Sequence, residues 1–238
     1  MSKLFSIEFY KYFYDKVLTY QRTKNEVNFL IKVLNLNKKN KILDLACWFW
    51  RHTEFLLNQW FNVYWIDFSE SFISHIKEIS QYKKKYFLWD IRIKNVLWKK
   101  FDKIYSLHTS FWYFSENDNE KIIENISSLL NINWLFLIDL NNPYDTLLFE
   151  KWESILQKWD DYIKDIKSIK NKRLIFKRII KKWDDIFNEK YSLRIYTKDE
   201  LEEIWKKYNL LLIKTFWDFN FNKFNKDSKR MILLFKKQ

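Results

Sequence analysis

KILDLACWFWRHTEFLL, residues 41–57, decides the fold. Ile42 to Ala46 is a short apolar run broken only by Asp44, the pattern of a strand covered on both faces. The stretch after it has a helical period carried by Phe55, Leu56 and Leu57. Between the two, Cys47 to Trp50 must turn strand into helix, the tightest point of a βα unit that binds a nucleotide. Working outward, FNVYWID (61–67) gives a second strand ending in Asp67, with Ser69 placed to cap the helix that follows. KYFLWDI (85–91), FDKIYSLHTSF (101–111) and LFLIDL (135–140) give a third, fourth and fifth, the last two separated by the helix NEKIIENISSLL (119–130). Short apolar runs alternating with helical periods predict parallel strands joined by right-handed crossovers, a doubly wound α/β sheet.

The flanks complete this unit. Residues 1–40 read as an N-terminal helical cap whose apolar face is Val27, Phe29, Leu30, Val33 and Leu34. Residues 41–145 form the core. After the only proline, Pro143, residues 146–196 are lysine-rich with alternating apolar positions (YIKDIKSIK, RLIFKRII, SLRIY), which predicts a small antiparallel insertion serving as a lid or substrate wall. Residues 197–238 return to the core with a helix (Thr197 to Tyr208) and two strands, LLLIKTF and RMILLFKK. There is no internal repeat.

Composition adds an anomaly. The 238 residues contain no glycine and 13 tryptophans, where ordinary usage would supply roughly 17 glycines. Trp60 (LLNQWFNVYW) and Trp134 (LLNINWLFLID) fall between a helical pattern and a strand, at C′ positions where positive φ favours glycine. Trp48 and Trp50 occupy the strand-to-helix turn, where indole rings would block a ligand. The expectation is that a codon read as glycine in the source stands here as tryptophan, as when a reassigned stop codon is decoded with the wrong table. Trp205 lies within a helical pattern, and Trp152 and Trp159 sit where either residue would serve, so these three bear on neither side. The competing reading is a tryptophan-rich chain whose indoles form core or stacking platforms.

Asp67 ends the second strand 23 positions after Asp44 of the first, the spacing at which a carboxylate meets the hydroxyls of a nucleoside ribose. The base would lie beyond, where Asp90 can accept from an exocyclic amine and Ile91 can cover the ring. With glycine at 48 and 50, the segments LDLACxFxRHT, VYxIDFS, LxDIR, FDKIYSLHTSFxYF and LFLIDLNNP (x marking tryptophan) together resemble the class I S-adenosylmethionine-dependent methyltransferases. The likeness extends to the opening YFYDKVLTYQRTKNEVNFL and the ending SLRIYTKDEL, FWDFNFNKFNKDSKRMILLFKK, which are similar to an uncharacterised bacterial subgroup.

That resemblance implies a Rossmann-like sheet of seven strands with a reversed C-terminal hairpin, and S-adenosylmethionine lying across the C-terminal ends of the first strands. Carried over by position, Asp44 and the turn Ala46, Trp48 and Trp50 would face the methionine moiety, Asp67 and Phe68 the ribose, and Asp90 with Ile91 the adenine, while Leu107 and His108 would flank the sulfonium. Arg51 and His52 open the next helix, where a cation or free amides could hold the methionine carboxylate; His52 could equally bond locally. His108 and Tyr113 would orient or deprotonate the methyl acceptor, or else pack in the core. Arg194 and Tyr196 on the lid are candidate substrate contacts, or residues of a solvated strand. Methyl transfer to an acceptor is an in-line displacement on an activated sulfonium, so positioning can supply most of the catalysis. NNPY (141–144) differs from the Asn-Pro-Pro-Tyr signature of amino-directed methyltransferases, having one proline and following the fifth strand rather than the fourth.

The expected substrate is a small molecule methylated at nitrogen or oxygen. A net charge of +13 keeps an RNA or protein methyltransferase as the rival, although the lysines are scattered, in short runs such as 83–85 and 181–182. A non-catalytic stacking module is a second rival, favoured if Trp48 and Trp50 both point into solvent. No apolar run is long enough to span a bilayer and the start, MSKLFSIEFYKYFYDK, lacks a signal-peptide core, so a cytoplasmic location without membrane contact is expected. The single Cys47 cannot form an internal disulfide, and His52, His75 and His108 show no ligand-like spacing, so no metal site is expected.

Overall fold

The computed structural model describes residues 12–14, 17–48, 50–79, 85–94, 99–109, 111–145 and 153–238, with the backbone alone at 75–79. Phe49, Trp98, Trp152, the lysines at 83 and 84 and most of the chain's opening lie outside the described residues.

Helix α1 (Tyr20–Val33) is started by Thr19, whose hydroxyl accepts the Arg22 amide. Strand β1 (Lys41–Leu45) leads to α2 (Arg51–Asn58), β2 (Asn62–Asp67), α3 (Glu70–Ile79) and β3 (Tyr86–Leu88). Then come β4 (Phe101–Ser106), α4 (Glu116–Leu129) and β5 (Leu130–Asn141). The insertion is four strands, β6 (Glu153–Lys158), β7 (Asp161–Lys170), β8 (Arg173–Lys182) and β9 (Asp185–Arg194). Helix α5 (Lys198–Lys206), β10 (Leu210–Phe216) and β11 (Arg230–Lys237) close the chain.

Seven strands form one sheet in the order β10-β11-β5-β4-β1-β2-β3, and β6 to β9 form a separate antiparallel sheet in sequence order. The pairs β1–β2, β1–β4, β2–β3 and β4–β5 are parallel, whereas β11 runs antiparallel to both β5 and β10. This is the expected doubly wound, Rossmann-like sheet with a reversed C-terminal hairpin and an antiparallel insertion. The order reverses beside β1, so β1 and β4 diverge to opposite sides and leave a crevice at their C-terminal ends.

Alternation along each strand builds a core on each face. On β11, Met231, Leu233 and Phe235 pack with α4 and α5 residues Ile122, Ile126, Leu201 and Trp205, while Ile232 and Leu234 face α1 and α2 residues Val27, Leu30, Leu56 and Leu57. Strands covered on both faces must be apolar at odd and even positions alike, which is why they read as unbroken runs.

Three local expectations are corrected. Trp134 lies within β5; the positive φ of that junction falls on Asn133, at 68°. The strand read from KYFLWDI ends at Leu88: the Trp89 amide makes a last ladder bond to the Asp67 carbonyl, and the chain turns from residue 91. Trp159 does prefer one residue over another. It opens the two-residue turn between β6 and β7 with φ 55°, and Trp183 does the same between β8 and β9. Positive φ at the first central residue only is the type II′ arrangement, which favours glycine there.

The chain after β5 leaves the sheet at Asn142, whose buried side-chain amide donates to the carbonyls of Lys226 and Ser228, while its Oδ1 accepts the Tyr144 amide. NNPY is therefore a structural corner that ties two connections together.

Candidate functional site

The crevice is lined first by the turn after β1. Ala46, Trp48 and Trp50 have φ of 57°, 47° and 42°, so the backbone alternates into the left-handed region three times within five residues. The turn is pinned by the Cys47 amide on the Ile66 carbonyl and the Trp48 amide on Asp67 Oδ2, 3.0 and 2.9 Å. Trp50 is the N-cap of α2 and supplies no side-chain cap bond, so the first amides of that helix are left for another acceptor.

Asp67 stands at the C-terminal end of β2, with Oδ1 accepting the Ser69 amide at 2.9 Å. Burial pushes its pKa up to about 6 against the pull of the backbone amides of Ser69, Trp48 and Phe68. Asp44, inside β1, accepts from the Thr53 hydroxyl at 2.7 Å, and burial raises it to about 7. Phe68 is exposed beside Asp67. Asp90 follows β3 but is engaged by Arg92, whose Nε lies 2.9 and 3.0 Å from the two carboxylate oxygens, and Ile91 packs against the core.

A cluster that the sequence reading missed sits beside the turn. Glu26 of α1 is buried and surrounded by donors: Arg22 Nε at 3.0 Å, His52 Nε2 at 2.7 Å, His108 Nε2 at 3.3 Å, and the Arg51 guanidinium. Burial alone would raise this carboxyl, but hydrogen bonds from His108 and His52 hold it far below the usual range. Burial lowers both histidines, His52 to about 4, so both are neutral near pH 7. Arg51 also donates to Thr23, and its Nη2 is 2.5 Å from His108 Nε2. Sequence spacing gave the histidines no ligand-like pairing, whereas the fold brings two of them onto one carboxylate; Arg51 already supplies the cation in that cluster. The available signal was a glutamate within the apolar face of α1, between Asn25 and Val27.

The remaining candidates separate into two groups. His108, with φ 59°, and Leu107 join the turn in lining a small recess with Asp44, Ala46, Trp48 and Arg51. Tyr113 instead points to the insertion, packing on Leu174, Phe176 and Leu193, and burial raises its hydroxyl to about 12. Arg194 bonds Glu116 at 2.7 Å and Glu200 at 3.3 Å, and Tyr196 packs on Trp112 with its hydroxyl accepting from Asn119. These two therefore fasten the insertion to the core.

A nucleoside cofactor fits the two flanks of this crevice and not the turn between them. The Asp67 carboxylate and the open α2 N-terminus are suited to ribose hydroxyls and a carboxylate. The turn between them needs backbone alone on its ligand face, and it carries the indoles of Trp48 and Trp50. Trp50 is buried and Trp48 partly so, which removes the solvent-facing pair that a stacking module requires.

No family model and no curated protein matches the sequence. Solved structures do. An S-adenosylmethionine-dependent methyltransferase from Clostridium acetobutylicum is 20% identical with a TM-score of 0.79, over 97% of this chain and 96% of that one. The CcbJ methyltransferase from Streptomyces caelestis is 15% identical with a TM-score of 0.77, over 90% of each chain. CalS10 from Micromonospora echinaspora, an amino pentose methyltransferase solved with S-adenosylmethionine, is 10% identical with a TM-score of 0.66, over 91% of each chain. At these identities the likeness shows the fold.

Proposed function

We propose that this protein is an S-adenosylmethionine-dependent methyltransferase that moves a methyl group to nitrogen or oxygen of a small molecule. One observation carries the reading: the pinned β1–α2 turn and the Asp67 carboxylate meet at the point where the strand order reverses, so ribose acceptor and free helix amides face one crevice. The small-molecule acceptor is supported by the insertion, which is fastened to the core through Arg194 and Arg173 and walls the C-terminal edge of the sheet. The amino pentose acceptor of CalS10 is of this class. Because the turn as written does not admit the cofactor, no chemical step is assigned to His108 or Tyr113.

The test is calorimetric titration of S-adenosylmethionine into two chains, one as written and one with glycine at all 13 tryptophan positions. Binding by the glycine chain with a saturable 1:1 isotherm is expected. Binding by neither chain overturns the reading. Binding that requires nucleic acid and falls steeply with salt moves the acceptor to RNA.

A further inference from the structure

We infer that the working polypeptide carries glycine where this sequence carries tryptophan, and that the indoles of Trp48 and Trp112 stand in the volume of its ligand cleft. The second half rests on the proposed function; the first rests on backbone and packing alone.

Fifteen described residues have positive φ, and six of them are tryptophan: Trp48, Trp50, Trp60, Trp112, Trp159 and Trp183. Tryptophan is 13 of 238 residues, so this is a concentration of one bulky residue type in the region where bulk is least tolerated. Asparagine, which tolerates that region next best, supplies four more. The positions are also specific. The end of α2 has both bonds of a Schellman motif, Phe61 N–H to Leu56 and Trp60 N–H to Leu57, with Trp60 at C′, φ 66° and 83% exposed. The end of α1 has the same two bonds and uses Asn35. Trp159 and Trp183 each open a two-residue hairpin turn and are 78% and 69% exposed, with only surface contacts to Tyr12 and Lys158 and to Lys182, so little packing offsets their conformation.

The tryptophans at ordinary φ fail on a second, independent count. Among the described residues, the indole N–H groups of Trp65, Trp89, Trp205 and Trp217 are buried without a hydrogen-bond partner, an arrangement that native interiors rarely contain. Trp134, partly buried under the Lys103 ammonium, is the one described tryptophan that neither count touches.

Four of these positions share one edge. Trp48 and Trp50 follow β1, Trp89 follows β3, and Trp112 follows β4, all at the C-terminal ends of parallel strands. Trp48 lines the recess beside Asp44 and His108, and Trp112, with φ 90°, lines a second small one with Thr109, Leu174 and Tyr196. Glycine at these places removes four side chains from the edge at which this fold takes its ligand.

Two measurements decide it. Thermal unfolding of a Trp60→Gly, Trp159→Gly, Trp183→Gly chain uses exposed positions only, so the gain is conformational. A rise of roughly 2–4 °C per position is expected from relief of left-handed strain in a chain this size. Mass spectrometry of peptides from the native protein should show glycine at 48, 50 and 60. Unchanged melting, or tryptophan masses at those positions, overturns the inference. If melting rises and the masses are glycine but the all-glycine chain fails to bind S-adenosylmethionine, the glycine assignment stands and the proposed function falls, taking the cleft assignment with it.

Discussion

Replacing Asp44 by asparagine should remove a pH dependence that is built into the core. Asp44 is 3% exposed in the middle of the sheet, hydrogen-bonded by Thr53, and its pKa is pushed up to about 7 from the ordinary carboxyl value of 3.8. Burial is the main cause, reinforced by the neighbouring negative charge of Asp67. A carboxyl whose pKa is higher when folded holds its proton more tightly in the folded state. Its contribution is therefore complete below about pH 4 and is lost as pH rises through about 7. At about 1.36 kcal/mol per unit the full loss is about 4 kcal/mol, or on the order of 10 °C in Tm for a chain of this length. Asparagine keeps the acceptor oxygen for Thr53 and cannot ionise. Urea midpoints measured from pH 4 to pH 8 should fall for the parent and fall less for Asp44→Asn, which keeps only the decline up to about pH 6 that Asp67 imposes, with the variant the more stable above pH 7. Two parallel profiles would refute the reasoning, because they would mean that Asp44 is ionised throughout or solvated by water.

Three further outcomes are expected. Asp67→Asn in the all-glycine chain should abolish S-adenosylmethionine binding measured by calorimetry; in the parent glycine chain affinity should drop about tenfold per pH unit below about 6, since the protonated carboxyl loses acceptor capacity. Glu26→Leu leaves the buried Arg51 guanidinium without its carboxylate and should cost about 3–5 kcal/mol in urea unfolding, whereas a loss under 1 kcal/mol would mean that Thr23 and solvent satisfy Arg51. Arg230→Met breaks the two 2.5 Å bonds to Asp139, a fully buried carboxylate that also takes the His108 amide, with a similar expected cost in the same assay.

The sequence by itself determined the sheet. Apolar runs at 42–46, 63–67 and 135–140, each interrupted or ended by one aspartate and separated by helical periods, predict parallel strands covered on both faces, and the alternating lysine-rich stretch from 153 to 194 predicts an exposed antiparallel one. It also located Asp67, because a carboxylate ending the second strand has a fixed relation to the first βα turn. The absence of glycine was visible at once, but not its consequence at each position. Trp159 and Trp134 were misjudged from sequence because φ depends on where the hairpin register and the helix end fall, and a shift of one residue moves the left-handed position from 134 to 133.

The Glu26–Arg51–His52–His108 cluster was decided by tertiary structure. Its members come from α1, the start of α2 and the end of β4, between 25 and 82 positions apart counting from Glu26, and no local pattern reports which buried charge meets which. The same is true of Asp90 and Arg194. Each presents a charge that sequence assigns to a ligand, and each is taken by a protein partner, Arg92 in one case and Glu116 with Glu200 in the other. Periodicity records which side of an element is dry, since burial acts on every residue of a face. Ion pairing acts between single atoms brought together by the packing of whole elements, and only the folded arrangement specifies it.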